Sequence, residues 1–190
     1  MRAALVLAGG RARRLGGIDK ALIEIRGVTM LDRVLGAAAP HCDQLVVVGP
    51  PRETTVPGVR FTIELEPGGG PVPAVAAGLD KATEAQEVVV LAVDLPLLRD
   101  EHVQTLFVGL AEEGVAAVAA ADHWGRANPL LAAYRADALR AVVDGAGPGD
   151  PAARMLPLAT VIVNLGEAGT LNVNQPDDLE RARRLLRPAP

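Results

Sequence analysis

Aromatic side chains are nearly missing from this 190-residue chain, with Phe61, Phe107, Trp124 and Tyr134 making up the whole 2%. So few rings argue against a stacking platform for single-stranded nucleic acid and predict an aliphatic core of Val, Leu, Ile and Ala. Cysteine is reduced to Cys42, which excludes a disulfide framework and a cysteine-rich zinc site and suits a reducing compartment. The three histidines, His41, His102 and His123, show no ligand spacing. Positive charge does not prevail either: the formal net charge is −4, which argues against binding a nucleic-acid backbone. Apolar runs such as 115–121 fall well short of the roughly 20 residues that a membrane-spanning helix requires. The N-terminal apolar run passes directly into Gly9-Gly10, too short for a signal peptide. These absences lead to an expected cytoplasmic α/β protein, with residues 1–190 forming a single domain that engages neither nucleic acid nor membrane.

Short apolar, β-branched runs occupy residues 3–7, 45–48, 88–93, 115–121 and 160–163. Continuous apolarity over such lengths predicts strands buried on both faces of a mostly parallel sheet. Helical stretches are expected at 30–39, 75–83, 101–113 and 177–186, giving a Rossmann-like three-layer α/β/α sandwich. Thr29 and Asp32 read as a capping box, with the acid reaching back to the cap amide. Pro176, followed by Asp177 and Asp178, opens a helix that ends among arginines, as the helix dipole favours. Two glycine-rich segments, 8–17 and 66–73, follow predicted strands and therefore belong on the ligand-binding edge. The Gly/Pro-rich stretch 144–151 reads either as a flap or as a plain connection.

The segment from Leu7 to Lys20 carries the strongest chemical signal. Arg11, Arg13, Arg14 and Lys20 crowd beside Gly9-Gly10 in a chain that has only two lysines, Lys20 and Lys81. Glycine lets a backbone approach a phosphate chain closely, while the cations neutralise its oxygens. The segment fits neither a Walker loop, since Gly17 follows Gly16, nor the Gly-x-Gly-x-x-Gly dinucleotide fingerprint. Next comes Asp94, which emerges directly from the apolar run at 88–93. Such an acid either holds Mg²⁺ against substrate phosphates or caps the following helix, for which Asp100 and Glu101 are closer candidates. Asn172 and Asn174 form a third signal: one residue apart in an extended segment, they face the same side, although Asn174 alone reads equally well as a helix cap. Glu64 and Glu66 either line the pocket or are solvated.

These residues resemble the molybdenum cofactor guanylyltransferases within the wider nucleotidyltransferase-A superfamily. The likeness runs through Leu7-Ala8-Gly9-Gly10, Arg14-Leu15-Gly16, Asp19-Lys20, Gly68-Gly69-Gly70-Pro71, Val93-Asp94-Leu95-Pro96, Asn128-Pro129 and Asn172-Val173-Asn174-Gln175-Pro176, in the family's order. It implies the nucleotide-diphospho-sugar transferase type of fold and Mg²⁺-dependent transfer of GMP from GTP to molybdopterin, the organic part of the molybdenum cofactor. Under that resemblance Leu7, Ala8, Gly9 and Gly10 would line the nucleotide, together with Gly49, Leu65 and Gly70. Arg14 and Lys20 would meet the triphosphate, Asp94 would bind Mg²⁺, and Arg154, Asn172 and Asn174 would face the pterin. Gly49 stands where members of the family often carry Asn, and Leu65 where they carry a guanine-reading acid. The resemblance also implies transient complexes with molybdoenzymes or other cofactor-synthesis proteins. Rival readings are a cytidylyl, sugar-phosphate or phospholactate nucleotidyltransferase, or a non-catalytic nucleotide-binding carrier.

Overall fold

The computed structural model describes residues 1–9, 18–66, 68–122 and 124–186. Arg14 and Gly10, both expected in the site, lie outside the described residues, as do Arg11 and Arg13. The first strand shows why the apolar runs are continuous. In β1 (Arg2–Leu7), Ala4 and Val6 enter one hydrophobic core while Ala3 and Leu5 enter another on the opposite face. Successive residues of a strand point to opposite sides, so a strand covered on both faces needs apolar residues throughout. The same division occurs in β6 (Glu87–Ala92), where Val89 and Leu91 oppose Val88 and Val90.

Two more strands complete that half of the described sheet, β4 (Gln44–Val48) and β5 (Val59–Thr62), and a short hairpin of β2 (Glu24–Ile25) with β3 (Val28–Thr29) stands apart from it. The other half contains β7 (Ala117–Ala121), β8 (Ala127–Arg135) and β9 (Ala159–Val163). Among the described residues the main sheet has seven strands in the order β5-β4-β1-β6-β8-β7-β9, with the hairpin separate. Only β8 runs against its neighbours β6 and β7. Helices α1 (Met30–Ala38) and α3 (Asp100–Leu110) cover one face, and α2 (Pro71–Lys81) and α4 (Ala136–Val143) cover the other. This is a mostly parallel three-layer α/β/α sandwich.

Small residues let the helices lie close to the sheet. A Cβ placed on Gly78 of α2 would stand 3.0 Å from a Leu5 methyl, and one on Gly109 of α3 would stand 3.1 Å from a Val118 methyl. The scarce rings fill the remaining depth: Phe107 and Tyr134 are fully buried, and the Tyr134 hydroxyl donates to the Pro129 carbonyl at 2.8 Å. Burial pushes the Tyr134 phenol well above its ordinary pKa.

Some expected elements differ in the structure. Strands β5 and β8, the β2–β3 hairpin and α4 add to those expected, and α2 begins earlier, with Pro71 in its first turn. The Thr29 hydroxyl does accept from the Asp32 amide at 3.0 Å, but the Asp32 carboxylate takes Thr54 and Thr55 instead of reaching back to the cap. It thereby ties the loop after β4 to α1. Stretch 144–151 is anchored: the Gly149 amide donates to the Gly69 carbonyl at 2.6 Å. Asp150 also accepts from Arg154 at 2.5 Å and from the Gly147 amide at 3.2 Å. The Gly147 amide and the Arg154 guanidinium hold the Asp150 carboxyl below the usual carboxylate range.

Candidate active site

Parallel register brings the ends of three strands to one level, with Leu7 opposite Val48 on one side and Ala92 on the other. The segments beyond those ends wall a cleft of about 1060 Å³ at the C-terminal edge of the sheet. Leu7, Gly9, Gly49, Gly70 and Ala92 line it, with Glu64 on the same wall. Leu7 and Ala92 form an apolar floor because they are the last residues of buried strands.

Gly49 is fixed by its backbone. Its φ is +153°, and a Cβ there would lie 3.0 Å from the carbonyl carbon of Ala8. The crossing is drawn tight by hydrogen bonds from the Ala8 amide to the Val48 carbonyl and from the Gly49 amide to the Thr62 carbonyl, each 2.8 Å. A side chain at position 49 would therefore displace the turn that begins the glycine segment.

Lys20 links two of the sequence signals. Its Nζ lies 3.2 Å from Asp94 Oδ2 and 2.7 Å from Asn174 Oδ1. The Val173 amide donates to the Asp94 carbonyl at 2.8 Å, so the backbone holds the asparagine segment against the acid. Asp94 caps no helix here, because α3 begins after Arg99. Nor is Asn174 the cap of α5 (Pro176–Leu185): Gln175 occupies that position, and Asp178 accepts from the amides of both Asn174 and Gln175 at 2.9 Å. Two side-chain oxygens, Asp94 Oδ1 and Asn172 Oδ1, are buried without a hydrogen-bond partner. Buried acceptors are normally satisfied, so these unsatisfied ones mark a place for a ligand. Lys20, Asp94, Asn172 and Asn174 are not among the residues that line the cleft and adjoin it only through Asp19 and Ala92.

Glu64 is 7% exposed, and its Oε1 accepts from the Gly68 amide at 3.0 Å while facing Gly9. Turning that carboxylate inward throws the next residue outward: Leu65 is fully exposed and does not line the cleft. Arg154 does not line it either, since its guanidinium is taken by Asp150 and by the Asp144 carbonyl. Arg52, not singled out from the sequence, does line the cleft, and its side chain is 8% exposed. The available signal was its position just beyond a buried strand, the same logic that drew attention to Asp94.

Among the described residues no group of three or more His, Cys, Asp or Glu side chains could hold a metal ion. A single carboxylate with a free buried oxygen still fits Mg²⁺, which is commonly bound by one or two carboxylates together with substrate phosphates. Cys42 plays no part, as burial pushes its thiol up to about 12, where a thiolate nucleophile is absent at neutral pH. No described helix is long and apolar enough to cross a membrane.

The profile of the MobA-like NTP transferase domain matches residues 4–157, covering the glycine segment, the cleft and Asp94. The chain belongs to this family. It is a nucleotidyltransferase. A molybdenum cofactor guanylyltransferase of Mesorhizobium japonicum is 31% identical over 199 residues, covering 97% of this chain and 95% of its own. A probable molybdenum cofactor guanylyltransferase of Natronomonas pharaonis is 29% identical over 204 residues, covering 97% and 98%. Among solved structures, the molybdopterin-guanine dinucleotide biosynthesis protein A of Archaeoglobus fulgidus superposes with a TM-score of 0.72 at 25% identity, covering 97% of this chain and 98% of that one. A 4-diphosphocytidyl-2C-methyl-D-erythritol synthase, at 23% identity and a TM-score of 0.68, shares the fold alone.

Proposed function

We propose that this MobA-like transferase moves GMP from GTP to the terminal phosphate of the molybdenum cofactor in the cytoplasm, releasing pyrophosphate and forming the guanine dinucleotide. The observation that carries the reading is Lys20, next in sequence to the cleft-lining Asp19, held between Asp94 and Asn174 with Asp94 Oδ1 left unpartnered. Support for the base and acceptor comes from relatives that cover nearly the whole chain.

In this reading an oxygen of the acceptor phosphate attacks the α-phosphorus of GTP, and the bond from that phosphorus to the bridging oxygen of the pyrophosphate breaks. The protein contributes orientation and charge neutralisation rather than covalent chemistry. The turn at Ala8-Gly9 brings backbone close to the nucleotide, and Lys20 leaves Asp94 to neutralise charge developing on the phosphates. Asp94 would hold Mg²⁺, which when bound supplies Lewis-acid polarisation of the phosphoryl oxygens. Asn172 and Asn174 would face the acceptor, with a polar pterin N–H group satisfying Asn172 Oδ1. Arg14 joins the triphosphate from the segment outside the described residues.

Guanine selection falls to Glu64. The edge of guanine presents adjacent N1–H and N2–H donors, and a carboxylate accepts both. Cytosine and adenine set an acceptor nitrogen against it, which a carboxylate repels. Calorimetry with GTP, CTP and ATP, each with and without Mg²⁺, on wild type, Asp94→Ala and Glu64→Gln tests the reading. Selective, Mg²⁺-assisted GTP binding is expected, weakened in Asp94→Ala and with the preference over CTP reduced roughly tenfold or more in Glu64→Gln. Equal affinity for the three nucleotides, or a preference for CTP, overturns the guanylyl assignment.

A further inference from the structure

Arg52 makes contacts unlike those of any other cation described around the cleft. Its Nε donates to Asp19 Oδ2 at 2.7 Å, Nη1 to the Pro50 carbonyl at 2.9 Å and Nη2 to the Ala8 carbonyl at 3.0 Å. One guanidinium thus joins the residue that follows β1, the segment after β4 and the residue immediately before Lys20. Asp19 is fixed on its other side as well, where Oδ1 accepts from the Ala21 amide at 3.1 Å and caps the short helical turn of Lys20–Leu22. A Cβ on Gly49 would stand 3.1 Å from Arg52 Nη1, so the glycine gives the guanidinium its room.

We infer that Arg52 is a positioning residue for the transfer, fixing Lys20, through Asp19, relative to the Ala8-Gly9 turn. The inference rests on the proposed role of Lys20 at the triphosphate. Two features separate this arrangement from an ordinary surface ion pair. The side chain is 8% exposed, so the charge is desolvated and its loss leaves the Ala8 and Pro50 carbonyls to find other donors. The acceptors also lie in different directions around one plane, which suits the guanidinium fork and not a single ammonium. A lysine here retains the charge but cannot reach all three acceptors in the same geometry. The distance from Lys20 to the nucleotide edge is therefore set by a residue that transfers no group itself.

Steady-state turnover of GTP and melting temperature, measured on wild type, Arg52→Lys, Asp19→Asn, Lys20→Ala and the double variants, test the inference. Arg52→Lys should lower kcat on the order of 10²-fold, with KM for GTP moving much less, because a displaced Lys20 fails chiefly where charge develops. Asp19→Asn breaks the same link and should show the same pattern; should Arg52→Lys prove unstable, this variant decides the question. Adding Arg52→Lys to Lys20→Ala should cost almost nothing further, since both act through one group. Equal losses in the wild-type and Lys20→Ala backgrounds would mean that Arg52 contacts substrate directly and would overturn the positioning role. Arg52→Lys and Asp19→Asn with full kcat and only a lowered melting temperature would overturn it as well. Lys20→Ala with unchanged turnover sinks the proposed phosphate site itself, whereas its collapse beside an unaffected Arg52→Lys sinks this inference alone.

Discussion

Two carboxylates at opposite ends of one strand have opposite surroundings. Glu87 begins β6, and both of its oxygens are paired at 2.8 Å, one with Arg2 and one with Arg135. Those arginines are engaged elsewhere too: Arg2 lies 4.5 Å from the centre of the Phe107 ring, and Arg135 donates to the Leu110 carbonyl at 2.8 Å. Asp94 stands just past the end of the same strand with one oxygen on Lys20 and the other buried and unpartnered. The first carboxylate closes the N-terminal edge of the sheet, and the second is left incomplete for something to bind. Saturation of hydrogen bonds, more than burial or charge, distinguishes the structural acid from the functional one.

Substituting each acid separates the two roles. Asp94→Ala should lower turnover on the order of 10³-fold, as loss of a preorganised electrostatic group does. Its melting temperature should change little, since removing an unsatisfied buried oxygen offsets the loss of the Lys20 pair, and Lys20 keeps Asn174. Glu87→Ala should do the reverse. Two partly exposed arginines lose a partner that is 16% exposed, for about 2 kcal/mol, which lowers the melting temperature by roughly 4–8 °C while kcat stays near wild type. A melting-temperature loss in Asp94→Ala as large as that in Glu87→Ala would abolish the distinction.

Gly49→Ala tests a position where the two roles cannot be separated. The substitution forces a side chain into φ +153° and against Ala8, at a cost of about 1–3 kcal/mol. Moving Ala8 also disturbs the cleft, so GTP affinity should fall together with stability. Calorimetry and thermal melts on the same preparation check this, and a variant that loses only one of the two would show that the turn and the site are independent.

How much of this could be read in the sequence depended on whether each residue's environment was local. Strands β1, β4, β6, β7 and β9 were legible because burial on both faces, or strict β-branched composition, leaves an unbroken apolar run. Strand β8 was hidden by Pro129, which stands where the pairing with β7 shifts register, from Ala119 opposite Ala132 to Ala120 opposite Asn128. A proline is tolerated at such an irregularity, yet in sequence it argues against a central strand. In the site, Lys20, Asp94 and Asn174 were marked by their motifs, although nothing local says that one ammonium joins residues 74 and 154 positions away. The inward turn of Glu64 and the reach of Arg52 depend on rotamers and on tertiary contacts with Gly68, Ala8 and Asp19, so neither could be read from spacing.

The smallest expected effect concerns a buried polar group that sits at the functional end of the fold but serves a helix start. His102 is 6% exposed, and its Nδ1 accepts from the Arg99 amide at 3.1 Å at the start of α3, with Gly169 packed so closely that a Cβ there would touch the ring at 3.1 Å. Burial, helped by the Arg99 charge and opposed by Glu101 and Asp100, lowers its pKa below the ordinary value. The folded protein therefore binds fewer protons at this ring than the unfolded chain does, and protonation favours unfolding. Its contribution is intact above the unfolded value of about 6.5 and declines as pH falls through that value towards the folded one. Asn at this position keeps an acceptor for the Arg99 amide but does not titrate, so His102→Asn should lose less melting temperature than wild type between pH 7.5 and 5.5. Its relative turnover across the same range should match wild type, because a ring engaged in capping α3 should act on stability alone. A changed pH–rate profile in His102→Asn would place the ring in the working site and break the rule that the two ends of β6 define.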